Sequence, residues 1–198
     1  MNRPYPIRIA LTATTLLATV GCHSDVGIEL PSSTKPAKST LISQITPRAS
    51  LAIKSPDITA DQSIADRFSG YGANQVPTIQ WSEAPAGTKT LILLLEDPDA
   101  PGAAPFRHWM VYDIPARTTS VGATLPAGAV ADRNDADRIG YFGPQPPAGD
   151  PPHHYHFEVF AIDSRMALAP KADQKVLAAV LKGHTLAAGE LVATYQKP

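Results

Sequence analysis

The sequence predicts a mainly β domain with small peripheral helices at its C-terminal end. Three observations predict it. Residues 90–95 form a continuous apolar run bounded by turns, residues 107–114 and 153–163 alternate as strands do, and helical patterning is confined to residues 173–181 and 186–195. A chain of 198 residues suits one domain with a real hydrophobic core.

In chain order, residues 1–21 read as an export signal. Arg3 and Arg8 precede an apolar stretch from Ile9 to Val20, too short to anchor stably across a bilayer. The stretch ends at Gly21-Cys22, and Cys22 is the only cysteine, so no disulfide can form within the chain. A small residue before a lone cysteine resembles the bacterial lipoprotein signal, although Thr19 stands where that signal usually has leucine. This resemblance implies cleavage before Cys22, lipidation of Cys22 and a membrane anchor in the bacterial cell envelope, with the domain in the periplasm. His23, not an aspartate, follows the cysteine, which favours the outer membrane over the inner. Residues 22–46 are rich in Ser, Thr, Pro and Lys and read as a flexible tether. Within them, Leu41 to Ile45 offers a short edge strand as an alternative.

The domain occupies residues 47–198. Residues 51–55 begin it as a strand, Gly70 to Asn74 form a turn, and residues 78–81 alternate before a Pro85-Ala86-Gly87 turn. The run 90–95 suits a central strand covered on both faces, delivering Glu96 and Asp97 to its end. Asp97-Pro98-Asp99-Ala100-Pro101 opens a shaped, proline-rich loop. In the next strand, strict alternation puts His108, Met110, Tyr112 and Ile114 on one face and Trp109, Val111 and Asp113 on the other. Residues 117–149 are mostly loop, long enough to suggest a functional one. Their cluster of Asp132, Asn134, Asp135 and Asp137 is explained by solvation. In the strand 153–163, His153, Tyr155, Phe157, Val159 and Ala161 share one face, and His154, His156, Glu158, Phe160 and Ile162 share the other. The final helix rests on a stripe of Ala188, Leu191, Val192 and Tyr195.

A formal net charge of -1 and the lack of any basic run point away from nucleic acid. The acid, imidazole and turn glycine at strand ends suggest a small polar pocket. Asp97, if partly buried, can share a proton. His108 and His153 can donate hydrogen bonds, and Tyr155 offers a hydroxyl beside His153. Amides around Gly143 can complete an anion nest. The competing reading is that Asp97 caps its own loop and the histidines are structural. No cofactor is expected. No metal is expected either, because the alternation separates His153 from His154 and His156, and no HExxH, CxxC or calcium-loop pattern is present. Ser63, Ser69 and Ser82 lack a nucleophile-elbow context, so the chain does not read as an enzyme.

Taken in order, these motifs resemble the phosphatidylethanolamine-binding protein family, in its bacterial Raf-kinase-inhibitor-like branch. Asp97 to Pro101 followed by Arg107-His108-Trp109 is similar to the first signature, and Gly140-Tyr141-Phe142-Gly143-Pro144 to the second. His153-His154-Tyr155 stands where the family has His-Arg-Tyr, and Gly70, Pro77 and Trp81 fit upstream. The resemblance implies a two-sheet β-sandwich with small helices at one end. It implies a shallow pocket for a small anion or phospholipid headgroup, lined by Asp97, His108 and His153, with Tyr155 behind and amides near Gly143 helping. Asp99 is expected to fix the loop. The resemblance also permits a protein partner, as an inhibitor or scaffold of an envelope enzyme, and a homodimer. Two departures stand out: His154 replaces the usual arginine, and Ala136-Asp137 replaces a Phe-Gly pair.

Overall fold

A computed structural model describes residues 38–166 and 170–198. Cys22, the export signal and residues 22–37 of the tether lie outside the described residues. Among the described residues, nine strands and one α-helix follow in order: β1 (Ala49–Ser50), β2 (Ile53–Lys54), β3 (Ile79–Trp81), β4 (Thr90–Asp97), β5 (Phe106–Pro115), β6 (Ser120–Val121), β7 (Val130–Ala131), β8 (His153–Ile162), α1 (Gln174–Leu181) and β9 (Thr185–Tyr195). Six of the strands form one sheet in the order β1-β9-β8-β4-β5-β7, and β2-β3-β6 form a second. All pairs are antiparallel except β1 with β9. This is the mainly β, two-sheet arrangement with a small peripheral helix that the sequence predicts.

β4 sits inside the larger sheet, and all eight of its residues are buried. Leu91, Leu93 and Leu95 join the main core with Ile79, Trp81 and Trp109, whereas Ile92 and Leu94 face a second apolar cluster with Leu177 and Leu181 of α1. A continuous apolar run is the pattern that a strand covered on both faces requires. β8 alternates as expected: Tyr155, Phe157, Val159 and Ala161 enter the main core, and Phe160 and Ile162 enter the second cluster. Asp173 caps α1 by accepting the Val176 amide at 2.8 Å.

Several expectations need correction. The final helix is absent. Residues 185–195 are β9, paired along their length with β8 and at Ala187 and Ala188 with β1. Two-sided ladder pairing outweighs the modest helix preference of Ala, Leu and Glu. Leu191, Ala193 and Tyr195 then line up at a spacing of two in the main core.

The alternation expected for β5 fails at two register shifts, opposite Leu91–Leu93 and Leu95–Glu96 of β4. Each inserts an extra residue into β5 and flips the parity that follows. Ile114 therefore packs with Val111 in the main core, while Met110 lies in the second cluster. His108 turns to the main-core side, where its ring meets Tyr155 edge-on at 5.3 Å.

The strand expected over 51–55 is interrupted, and β1 and β2 flank Leu51 and Ala52 on different sheets. Residues 42–44 form a 3-10 turn rather than an edge strand, and Leu41 and Ile45 are buried in the second cluster. The acidic cluster in the long loop is only partly solvated. Asp132 and Asn134 are buried. Asp132 lies 3.7 Å from Arg107 and accepts the Lys171 amide, and Asn134 bridges the Arg138 amide and Gly140 carbonyl.

Candidate ligand-binding site

Asp97 ends β4 opposite Phe106 of β5, and His153 begins β8. The ends of three strands therefore meet at one edge of the larger sheet. Asp97 is 2% exposed, and every short contact of its carboxylate is to a donor. Oδ1 accepts the amides of Asp99 and Ala100 at 2.8 and 2.9 Å, which folds the loop that follows β4. Oδ2 contacts His153 Nδ1 at 2.8 Å and lies 4.0 Å from His108 Nε2. Asp97 thus both caps its own loop and gathers the two imidazoles.

The register shift before Trp109 aims His108 toward Asp97. His108 Nδ1 donates to the Phe142 carbonyl at 2.8 Å, because that oxygen can only accept. The Phe142 amide donates back to the His108 carbonyl, and the two rings stack at 5.7 Å, 9° from parallel. Burial pushes the His108 pKa below the ordinary imidazole value. Neutral His108 then keeps its Nε2 lone pair on the side of Asp97. His153 Nδ1 is likewise occupied by Asp97, and its Nε2 lies 3.5 Å from Asp150 Oδ2.

These groups line a cleft of about 350 Å³. Phe106, Phe142, Ala136, Pro146 and Pro147 supply most of its remaining wall. Asp97, His108 and His153 are therefore brought together at one cleft. Tyr155 stands behind the cleft against His108, with its hydroxyl buried and unpartnered. Burial, then the nearby Asp97 charge, pushes the Tyr155 pKa up, so it stays a neutral phenol. Gly143 plays a different part from an anion donor. Its amide is already donated to Asn74 Oδ1 at 2.7 Å. A Cβ there would meet the Phe68 carbonyl at 2.1 Å, so glycine permits the close crossing of two loops.

Asp99 fixes the loop, as expected. Its Oδ2 accepts the His154 amide at 2.8 Å and contacts His154 Nδ1 at 2.8 Å. Partial burial raises its pKa, but the His154 donors together outweigh that and hold it below the ordinary carboxylate value. The histidine that replaces arginine therefore still braces the loop from outside the cleft. Ala136 reaches the cleft wall with only a methyl group. Sequence reasoning missed Phe106 and Asp150 as site residues. Phe106 could have been found from its place opposite Asp97 once the β4–β5 register was known, whereas nothing in the sequence marks Asp150.

Comparison with known proteins identifies the family. The model of the family described as phosphatidylethanolamine-binding protein matches residues 54–196. The chain is 36% identical to the protein YbcL of Escherichia coli over 141 residues, 65% of this chain and 77% of that protein. It is 33% identical to LppC of Mycobacterium tuberculosis, whose name classes it with lipoproteins, over 185 residues and 91% of each chain. The crystal structure of E. coli YbcL, titled a new member of the mammalian PEBP family, superposes with a TM-score of 0.70 at 30% identity. It covers 76% of this chain and 100% of that one. A homologue from Chlamydia trachomatis gives a TM-score of 0.67 at 28% identity, covering 75% of this chain and 99% of that one. With the family model matched over residues 54–196 and the E. coli YbcL structure superposing at 30% identity over its whole length, this chain belongs to the phosphatidylethanolamine-binding protein family.

Proposed function

We propose that this chain is a binding domain, not a catalyst, for a small anion or a phosphorylated headgroup, in the bacterial Raf-kinase-inhibitor-like branch of its family. One observation carries the reading: Asp97, His108 and His153 converge, buried, in a cleft whose other walls are largely apolar. Few polar groups in an apolar cleft is the composition of a small-molecule site. The hydrogen-bond wiring adds a condition. With its Nδ1 engaged by the Phe142 carbonyl, neutral His108 presents an acceptor to the cleft beside the Asp97 carboxylate. An anion must then bring a proton, as a monoanionic phosphate does, or the site must take one up. Binding is therefore coupled to proton uptake and strengthens as pH falls from 8 to 6.

A phosphate titration of the purified protein, followed by NMR at the histidine side chains, tests this. We expect saturable shifts confined to His108 and His153, with tighter binding at pH 6 and at least tenfold weaker binding in His108→Ala. No shift at millimolar phosphate would refute the reading. Capture of a protein partner that survives loss of both histidines would replace it with an interaction role.

The lipidation motif at Cys22 and the similarity to LppC along 91% of the chain support a lipid-anchored envelope location, with the outer membrane favoured. Labelling with a radioactive fatty acid should be abolished by Cys22→Ser, and persistent labelling would exclude that residue.

A further inference from the structure

The opposite face of β8 carries a second cluster of ionisable groups, which the anion cleft does not use. His156 and Glu158 are two residues apart and share that face. Glu190 of β9 pairs directly with Glu158, and Glu96 of β4 pairs with His156. Strand register therefore sets one imidazole and three carboxylates side by side. One ligand atom from each of His156, Glu158 and Glu190 lies within 4.8 Å of the other two. His156 Nδ1 is 2.9 Å from Glu190 Oε2.

Glu158 is the informative member. It is 0% exposed. Its Oε2 accepts the Ile42 amide at 3.0 Å, while its Oε1 is buried with no hydrogen-bond partner. A buried polar atom left unpaired is costly, and more so with two other carboxylates nearby. Glu96 has its own partners, the Leu41 amide and the Gln174 side chain. A cation bound between His156, Glu158 and Glu190 would occupy the free oxygen and offset the clustered negative charge. One imidazole with two carboxylates suits a first-row transition ion better than calcium or magnesium, which favour all-oxygen sets.

The geometry points to a divalent transition-metal site formed by His156, Glu158 and Glu190 on the outer face of β8 and β9. The ion would cross-link the two strands. Through Glu158 it would also steady the residue 40–42 segment that lies over them. His156 and Glu190 keep 20% and 38% of their side-chain surface exposed, so the ion has a route in from solvent.

Zinc titration of the chelator-treated protein by calorimetry, at a pH where imidazole is neutral, tests the site. We expect one ion per chain, with at least tenfold weaker binding in His156→Ala and in Glu190→Gln. Both variants sit at the sheet surface and should fold, which circular dichroism checks. Phosphate shifts at His108 and His153 should be unchanged in both. Zinc binding that is absent, or that persists at full affinity in both variants, overturns the assignment. Binding lost instead in His154→Ala or His184→Ala would place the ion at an exposed His–Asp pair and would also overturn it.

Discussion

Replacing Asp97 separates its two structural duties from any ligand role. Asp97→Ala strands three groups at once: the amides of Asp99 and Ala100 and the Nδ1 of His153. Asp97 and both histidines are at most 3% exposed, so water cannot readily replace the carboxylate. Each buried donor left without its acceptor costs about 1–3 kcal/mol, and with three stranded we expect a total of about 3–5 kcal/mol for Asp97→Ala. Asp97→Asn should behave differently. Its Oδ1 still accepts both amides, and His153 can switch tautomer so that Nδ1 accepts from the new amide. The expected cost is about 1 kcal/mol. That switch places a proton on His153 Nε2, on the side of Asp150 Oδ2. Urea denaturation of the three proteins reads the stabilities, and histidine NMR reads the tautomer. The reasoning is refuted if Asp97→Ala lies within about 1 kcal/mol of the native protein, or if the two variants are equally unstable.

Four further outcomes are expected. Burial pushes the Glu96 pKa from 4.5 up to about 7. A raised folded-state value means that its contribution to stability is complete below pH 4.5 and is lost as pH rises through about 7, worth at most about 3 kcal/mol. In metal-free protein, Glu96→Gln should flatten urea midpoints over that window. His108 has the opposite sign: with its pKa lowered, its contribution is present above the ordinary imidazole value and is lost as pH falls below it. His154→Ala leaves the Asp99–amide bond intact, so it should cost at most about 1 kcal/mol and change phosphate affinity less than twofold. A larger loss of affinity would mean that this exposed pair shapes the cleft. Gly189→Ala should be severe, since its Cβ would meet the Leu51 carbonyl at 2.0 Å where β1 joins β9. A thermal midpoint like the native protein's would show that the strands can part there at little cost.

Much of the fold is legible because each pattern has one structural solution. Residues 90–95 cannot sit at a solvent face, and the alternation from His153 to Ile162 fixes which side of β8 faces the main core. Residues 186–195 mislead because alanine, leucine and glutamate serve a helix well. The contrary signals are local and weak: Gly189 in mid-element, and Val192, Thr194 and Tyr195 near the end. The extra residues in β5 are invisible without its partner, since a bulge is a property of a pair of strands. The same limit applies at the site. Asp97, His108 and His153 can be named from motif order, but the capture of the Gly143 amide by Asn74 depends on a crossing of distant loops that leaves no periodic trace.

The point where the chain enters the fold has a mechanical consequence. Lys38 donates to the carbonyl of Ala100, a residue of the cleft rim, the Ser39 carbonyl accepts from Gln174 of α1, and the amides of Leu41 and Ile42 donate to Glu96 and Glu158. Tension on the N-terminal chain is delivered to the Asp97 loop and α1 and then to the centre of the sheet. A load applied ahead of residue 38 would therefore reshape the mouth of the cleft before it unzipped any strand.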